Sequence, residues 1–280
     1  MSSTIKIKIG KLTPTGLNSE EDLLAIEEPL EIRISYFKNK NREENNLSIT
    51  MRTPGEDSEL ALGFLFTEGI IDSMDQVLSI HSFSENSITI AFTKNVIFDI
   101  KKLEKHFYTS SSCGICGKTS IEAIRTIKSS TTNNKTLIVN STVIQNLPSA
   151  LRIKQNIFEQ TGGLHASAIF NPEGELILLC EDVGRHNALD KLIGSALKTN
   201  ILPLEKYILL LSGRASFELI QKATMAGITI VASIGAPSSL AVELANEREM
   251  TLIGFLRNKQ FNIYCGKERI KLKDSELKTA

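Results

Sequence analysis

Two cysteines three positions apart, Cys113 and Cys116, lie in the run Thr109-Ser110-Ser111-Ser112-Cys113-Gly114-Ile115-Cys116-Gly117-Lys118. A thiol pair at this spacing can bind a metal, cycle between dithiol and disulfide, or carry sulfur as a persulfide. The flanking residues are small, which predicts an exposed, mobile loop over 109–118. Thr119-Ser120-Ile121-Glu122 fits a capping box, with apolar Ile121, Ile124 and Ile127 following at helical spacing. That helix would turn its positive dipole end toward the thiols, and Lys118 adds a charge. Both favour thiolate, the nucleophilic form. Two surface cysteines without a role is the plain alternative, but structural cysteines are buried and do not sit in Ser/Gly loops.

Each of the three chemistries makes a further demand. A zinc knuckle needs two more ligands, usually a second close pair. Cys180 and Cys265 are solitary, and the chain has no second Cys-x-x-Cys and no His-x-x-x-His. A thioredoxin-like site belongs in an early strand–helix unit, whereas this pair follows about a hundred β-rich residues. Sulfur relay needs one activated thiolate with a second thiol close by, and that reading fits. Helix-dipole reasoning by itself favours Cys116, the thiol nearer the capped helix.

A second constellation is Glu181-Asp182-Val183-Gly184-Arg185-His186-Asn187, placed between a predicted strand and a helix expected to be capped by Asn187. Leu211-Ser212-Gly213-Arg214-Ala215-Ser216 and Ile234-Gly235-Ala236-Pro237-Ser238-Ser239 repeat the strand–loop–helix design. One such junction is usually just a capped loop. Three of them, two with Arg beside Gly, point to a phosphate-bearing ligand at the carboxyl edge of a sheet. His165 follows Gly162-Gly163, and His186 sits at a predicted helix start. Asp182 and Asp190 could orient Arg or His side chains, or simply cap the helix. No Gly-x-Gly-x-x-Gly or Walker A run is present, so dinucleotide and P-loop chemistry lack support.

The elements that position these residues fall into two parts. Residues 1 to about 105 read as β-rich, with strands at Ile5–Ile9, Leu30–Phe37, Leu47–Met51, Val77–Phe83 and Ser87–Phe92. One helix is expected over Asp57–Thr67, and the polar tract Lys38–Asn46 reads as hairpin loop. Residues 110–160 read as mostly helical. Beyond His165, a hairpin crosses Asn171-Pro172-Glu173-Gly174. Helices at Asn187–Lys198, Ser216–Ala226 and Ser238–Glu247 then alternate with strands at Tyr207–Leu211, Ile228–Ile234 and Thr251–Leu256, with Phe261–Cys265 as an edge. This alternation predicts a mostly parallel sheet with flanking helices. The expected division is 1–108, the Cys loop at 109–118, and 119–280.

Composition sets the outer limits. The chain has 280 residues, 41% hydrophobic and 23% charged, with formal net charge zero. Zero charge argues against a general grip on nucleic acid or an anionic membrane. No apolar run reaches the ~18–20 residues of a membrane span, and residues 1–6 lack a signal-peptide core. Four cysteines are too few for a disulfide scaffold at this length. A reduced, cytoplasmic protein is the expectation.

In order along nearly the whole chain, six segments resemble the formate dehydrogenase accessory sulfurtransferases, the FdhD/NarQ family. They are Arg52-Thr53-Pro54-Gly55-Glu56-Asp57 with Glu59–Leu65, then Ser112–Gly117, Thr161-Gly162-Gly163-Leu164-His165, Glu181–Lys191, Ser212–Ser216 and Pro237–Ala241. The resemblance implies a cytidine-deaminase-like three-layer α/β domain with a smaller β-rich N-terminal domain, and a cytoplasmic homodimer. It implies that sulfur arrives as a persulfide from a cysteine desulfurase. The sulfur passes to the molybdenum (or tungsten) bis-molybdopterin guanine dinucleotide cofactor, bound as cargo and destined for formate dehydrogenase. The family's persulfide cysteine maps to Cys113, with Cys116 as companion, and its cofactor segment to Phe255, Leu256, Arg257, Asn258, Lys259 and Gln260. With the junctions, the expected cofactor residues also include His165, Arg185, His186, Ser212, Gly213, Arg214 and Ser238, with the guanosine phosphates on Arg185, Arg214 and Ser238. No protein-bound zinc is expected, because the chain has no His-x-Glu and Ser112 replaces the proline of the deaminase Pro-Cys-x-x-Cys motif. Two rival classes remain: a thiol redox or metal-binding protein, and a cofactor chaperone that does not use its thiols.

Overall fold

A computed structural model describes residues 3–38, 41–94, 96 and 137–273. The Cys113–Cys116 segment and the capping box after it lie outside the described residues. The N-terminal part opens with a two-stranded antiparallel ribbon, β1 (Thr4–Thr13) and β2 (Gly16–Ala25). β3 (Glu28–Lys38) and β4 (Asn41–Arg52) follow, then helix α1 (Asp57–Thr67), β5 (Val77–Ser84) and β6 (Ser87–Phe92). The last four strands form one sheet in the order β4-β3-β6-β5. Its inner face, including Leu30, Ile32, Ile34, Ile88 and Ile90, packs on Leu60, Leu62 and Leu65 of α1.

Two expectations for this region fail. Residues 41–46 are not hairpin loop: Asn41 pairs with Lys38, and the ladder runs unbroken into β4 except for a bulge near Ile32. β2 was not expected as a strand, because Asn18-Ser19-Glu20-Glu21-Asp22 has poor β-propensity. Pairing with β1 supplies what propensity lacks, with Lys11 2.9 Å and Lys6 3.6 Å from the Glu20 and Glu21 carboxylates.

The larger part begins with β7 (Val139–Asn140), α2 (Ser141–Lys154) and α3 (Asn156–Thr161), which ends on Gly162 in the left-handed conformation. The hairpin β8 (His165–Phe170) and β9 (Leu176–Asp182) turns where the sequence places it, with Asn171 Oδ1 accepting from the Glu173 and Glu175 amides. Then come α4 (Arg185–Lys198), β10 (Ile208–Leu211), α5 (Phe217–Met225), β11 (Ile230–Ser233), α6 (Ser239–Glu247), β12 (Thr251–Arg257), β13 (Gln260–Cys265) and β14 (Ile270–Lys271). β14 pairs with β7.

The main sheet has the order β13-β12-β11-β10-β8-β9. It is mixed rather than mostly parallel. Only β10–β11 and β11–β12 run parallel, while β8–β9, β8–β10 and β12–β13 are antiparallel. Strand–helix alternation governs only β10 to β12; both flanks close by hairpins, which force antiparallel pairing. Ile208-Leu209-Leu210-Leu211 is apolar throughout because both sheet faces are covered. Leu209 and Leu211 face the side of α4, α5 and α6, while Ile208 and Leu210 face α2. The result is the expected three-layer α/β unit beside a smaller β-rich one.

The two parts meet where α1 crosses α4. The crossing is close because Gly63 lies on the Asp190 carbonyl and Gly194 on the Glu59 carbonyl, leaving no room for a Cβ at either position. Buried ion pairs flank it. Lys191 Nζ is 2.8 Å from Asp182, with both side chains at most 2% exposed. Lys222 is 2.8 Å from Asp190, which also accepts from Thr67 of α1. Arg52 holds Asp57 at 2.9 Å in the first turn of α1. Among the described residues no helix is long and apolar enough to cross a membrane.

Candidate functional site

The chain reverses from strand to helix at three neighbouring places on the carboxyl edge of β9, β10 and β11. Helix α4 starts at Arg185 with Gly184 as its N-cap, not at Asn187. The Asn187 amide is diverted, its Nδ2 donating to Met51 O and Asp182 Oδ1. Ser216 caps α5, and Ser238 caps α6 by accepting from the Ala241 amide at 3.2 Å. The second and third junctions are tied together through Gly235 N to Gly213 O, Ala215 N to Ala236 O and Ser238 N to Ala215 O. A Cβ on Gly235 would press on Gly213 O and Arg214 at 2.9–3.1 Å, so glycine is what lets the two loops lie together.

His165, at the start of β8, joins this edge. A Cβ on Gly213 would stand 3.2 Å from its Nδ1. The Ser212 hydroxyl accepts from the Ala166 amide at 2.8 Å, and the Ser212 amide donates back to Ala166 O. Burial, and then the charges of Arg185 and His186, depress the His165 pKa, so its ring is neutral near pH 7. Arg185 Nε is buried with no hydrogen-bond partner. An unmet buried donor of a cation at a helix N-terminus is suited to an anion.

His186 Nε2 lies 3.4 Å from the Ser216 hydroxyl and 3.9 Å from Glu218. Burial pushes the Glu218 carboxyl up, but the His186 ring, its own backbone N–H and the Ser216 hydroxyl outweigh this and bring it to about 2. Two pH windows follow. The unfolded His165 ring takes up a proton more readily than the folded one, so its contribution falls as pH drops below 6.5. Glu218 contributes fully above 4.5 and loses its contribution as pH falls toward 2. We therefore expect urea midpoints to fall in both ranges, and Glu218→Gln to flatten the loss between pH 4.5 and 2 alone.

The segment Phe255–Gln260 spans the end of β12 and its turn into β13. Phe255 sits at φ 54, a strained conformation for a bulky residue, inside a register shift between Gly254 and Arg257. Its amide donates to Gly235 O, so the segment abuts the third junction. Phe255 is exposed, Arg257 lies 5.9 Å over its ring, and Asn258 and Lys259 form the exposed turn before Gln260. The Leu256 side chain is fully buried in the α2-side core. His165, Arg185, His186, Ser212, Gly213, Arg214, Ser238 and the start of this segment thus share one edge. Cys113 and Cys116 lie outside the described residues.

Sequence reasoning missed the parts that brace this edge. Asp182 orients neither Arg nor His; it accepts from the Thr53, Gly184 and Asn187 nitrogens and pairs with Lys191. Asp190 pairs with Lys222 on α5 rather than capping α4. The Glu181 carboxylate accepts from the Ile157 and Phe158 amides at 3.3 and 3.1 Å, which anchors the first turn of α3. Thr53 for Asp182, Lys222 for Asp190, and Ile157 and Phe158 for Glu181 are 23 to 129 positions away, beyond any local signal. Cys180 is buried, and burial followed by the neighbouring Glu56 charge pushes its thiol up to about 12, which rules it out as a nucleophile. Burial also raises the Cys265 thiol. Among the described residues no cluster of three His, Cys, Asp or Glu could hold a metal.

Comparison with known proteins agrees across the chain. The FdhD/NarQ family profile matches residues 25–271. A sulfur carrier protein FdhD of Streptomyces avermitilis is 44% identical over 96% of this chain and 96% of its own length. A sulfur carrier protein FdhD of Saccharolobus solfataricus is 44% identical over 90% of this chain and 92% of its own. The crystal structure of a Desulfotalea psychrophila protein described as a formate dehydrogenase accessory protein superposes with TM-score 0.74, over 96% of this chain and all of that one, at 23% identity. At that identity it speaks for the fold alone.

Proposed function

The chain belongs to the FdhD/NarQ family, and from that premise we propose that it carries sulfur from a cysteine desulfurase to a molybdenum cofactor of the bis-molybdopterin guanine dinucleotide type, in support of formate dehydrogenase. The Cys113 thiolate attacks the sulfane sulfur of the donor's persulfide. The donor's S–S bond breaks, its cysteine leaves as thiolate, and the sulfane sulfur becomes the terminal atom of a Cys113 persulfide. Cys116 is the neighbouring thiol. The cofactor's guanosine phosphates rest on the junctions of Arg185, Arg214 and Ser238, and the Phe255–Gln260 segment closes the site. The protein works as a homodimer in the cytoplasm.

The observation that carries the ligand half of this reading is the unmet, buried Nε of Arg185 at the head of α4, beside two further junctions held edge to edge. A phosphate is the ligand such donors suit. Cells carrying Cys113→Ala as their only copy should lose formate dehydrogenase activity by at least about a hundredfold, because the nucleophile is gone. Mass spectrometry of the Cys116→Ala protein after incubation with desulfurase and cysteine should show one added sulfur on Cys113. Full activity in the Cys113→Ala cells would instead favour a cofactor chaperone that does not use its thiols.

A further inference from the structure

The head of α4 is not sealed by its own side chains. Its N-cap is Gly184, which has none to offer. Asn187 stands at the third helical position, where a capping box would return a side chain to the N-cap amide. Here the Gly184 amide donates to Asp182 instead, and the Asn187 carboxamide goes to other elements. The Arg185 Nε at this end is buried and unmet. What fixes the position of the helix head comes from the other part of the molecule, from the last residues of β4.

Thr50 Oγ1 donates to Asn187 Oδ1 at 3.2 Å, while Asn187 Nδ2 donates to Met51 O at 2.7 Å and to Asp182 Oδ1 at 3.1 Å. The buried carboxamide thereby uses its acceptor and both its donors. Thr53 grips the same turn from its other side. Its amide donates to Asp182 Oδ2 at 3.1 Å, and its hydroxyl accepts from the Val183 amide at 3.2 Å. The β4 end is itself anchored. Between Met51 and Thr53, the fully buried Arg52 is bound to Asp57 of α1 and to Glu85 O and Asn86 in the β5–β6 turn, at 2.9–3.1 Å. The fit is close on the α4 side as well, since a Cβ on Gly184 would stand 3.1 Å from Asn187 Nδ2. Arg185 follows this turn directly, so its guanidinium is carried on backbone that β4 holds.

We infer that Asn187 is a positioning residue of the anion edge, and that through it the end of β4 makes the N-terminal part a component of the phosphate site. The role asks no ligand contact of Asn187. It acts by holding the first turn of α4 where Arg185 Nε can meet a phosphate oxygen, a bond that weakens steeply with distance and angle. The inference rests on the phosphate placement proposed above.

The test is calorimetric titration of the full-length chain and its variants with GDP and inorganic pyrophosphate, with the thermal midpoint of each variant measured alongside. Arg185→Ala should weaken both ligands by about tenfold or more, the loss of one charge-assisted bond. Asn187→Ala should weaken both by about fivefold. Added to Arg185→Ala it should weaken them no further, because no guanidinium is left to misplace. Thr50→Val removes one hydroxyl remote from the ligand edge. It should weaken both by about threefold, with the same dependence on Arg185, and Thr50→Ser should restore them. The Thr50 pair also serves if Asn187→Ala is too unstable to titrate. A structural Asn187 would lower the midpoint and weaken binding by the same factor with or without Arg185, and that result overturns the positioning role. So does unaltered affinity in both Asn187→Ala and Thr50→Val. Unaltered affinity in Arg185→Ala, or no binding of either ligand by the unaltered chain, would sink the phosphate placement and the positioning role with it.

Discussion

Replacing Lys191 with methionine is expected to destabilise the fold by about 3–5 kcal/mol, the usual consequence of leaving a buried charge without its partner. Asp182, its partner at 2.8 Å, is fully buried. The Asp182→Ala change should cost still more. It strands the Lys191 cation together with the Thr53 and Gly184 amides and the Asn187 side-chain nitrogen, all of which donate to Asp182. Lys191 would keep Thr53 O at 2.9 Å and Glu181 O at 3.4 Å, and Asn187 Nδ2 would keep Met51 O at 2.7 Å, so the difference between the two variants reflects mainly the two orphaned backbone amides. For the same reason the double variant should not return to full stability, unlike buried pairs that apolar residues can replace without loss. Urea midpoints of the two single variants and the double one give the coupling. A loss under about 1 kcal/mol for Lys191→Met would mean that water reaches this pair.

The second large effect is at the α1–α4 crossing. On helix propensity alone, Gly194→Ala should stabilise an α-helix by about 1 kcal/mol. Here the contact reverses the sign. A Cβ at Gly194 would overlap the Glu59 carbonyl and crowd its Cα at 2.9 Å, and one at Gly63 would overlap the Asp190 carbonyl and approach Gly194 N at 2.9 Å. These are backbone atoms, so no rotamer change relieves them and the helices must separate. Separation would open the Lys222–Asp190–Thr67 contacts and the Glu59–Lys198 pair that span the same crossing. Gly194→Val should therefore cost upward of about 4 kcal/mol, at the edge of what a domain stable by 5–15 kcal/mol can bear. Gly194→Ala should be milder but still destabilising. The check is soluble yield and thermal midpoint of each; a midpoint at or above that of the unaltered chain for Gly194→Ala would show that the crossing relaxes.

The sequence by itself determined whatever rests on local chemistry. Helix α1 falls on Asp57–Thr67 as expected, since Pro54-Gly55 breaks the chain ahead of it and Gly69 behind. The β8–β9 hairpin follows from Asn171 and Gly174, whose side-chain bonding and positive φ specify the turn. Ser216 and Ser238 stand at the N-cap positions of their helices, and Ser238 caps through its side chain. The Cys113–Cys116 pair and the three Arg/Ser/Gly junctions were visible as types and spacings before any fold was known. Asn187 was read as a cap for the same local reason, and there the local rule lost: Met51 O and Asp182, from other elements, compete for its amide.

Only the tertiary structure decided which distant groups meet. Strand order and direction depend on which edges pair, so the mixed sheet was hidden behind a strand–helix rhythm that suits a parallel one. The acidic strand β2 exists because β1 is there to pair with it. The carboxylates of Glu181-Asp182 gain their roles from Phe158, Thr53 and Lys191, and Asp190 gains its role from Lys222. A buried charge is tolerable only with a partner, and nothing local in the sequence names that partner.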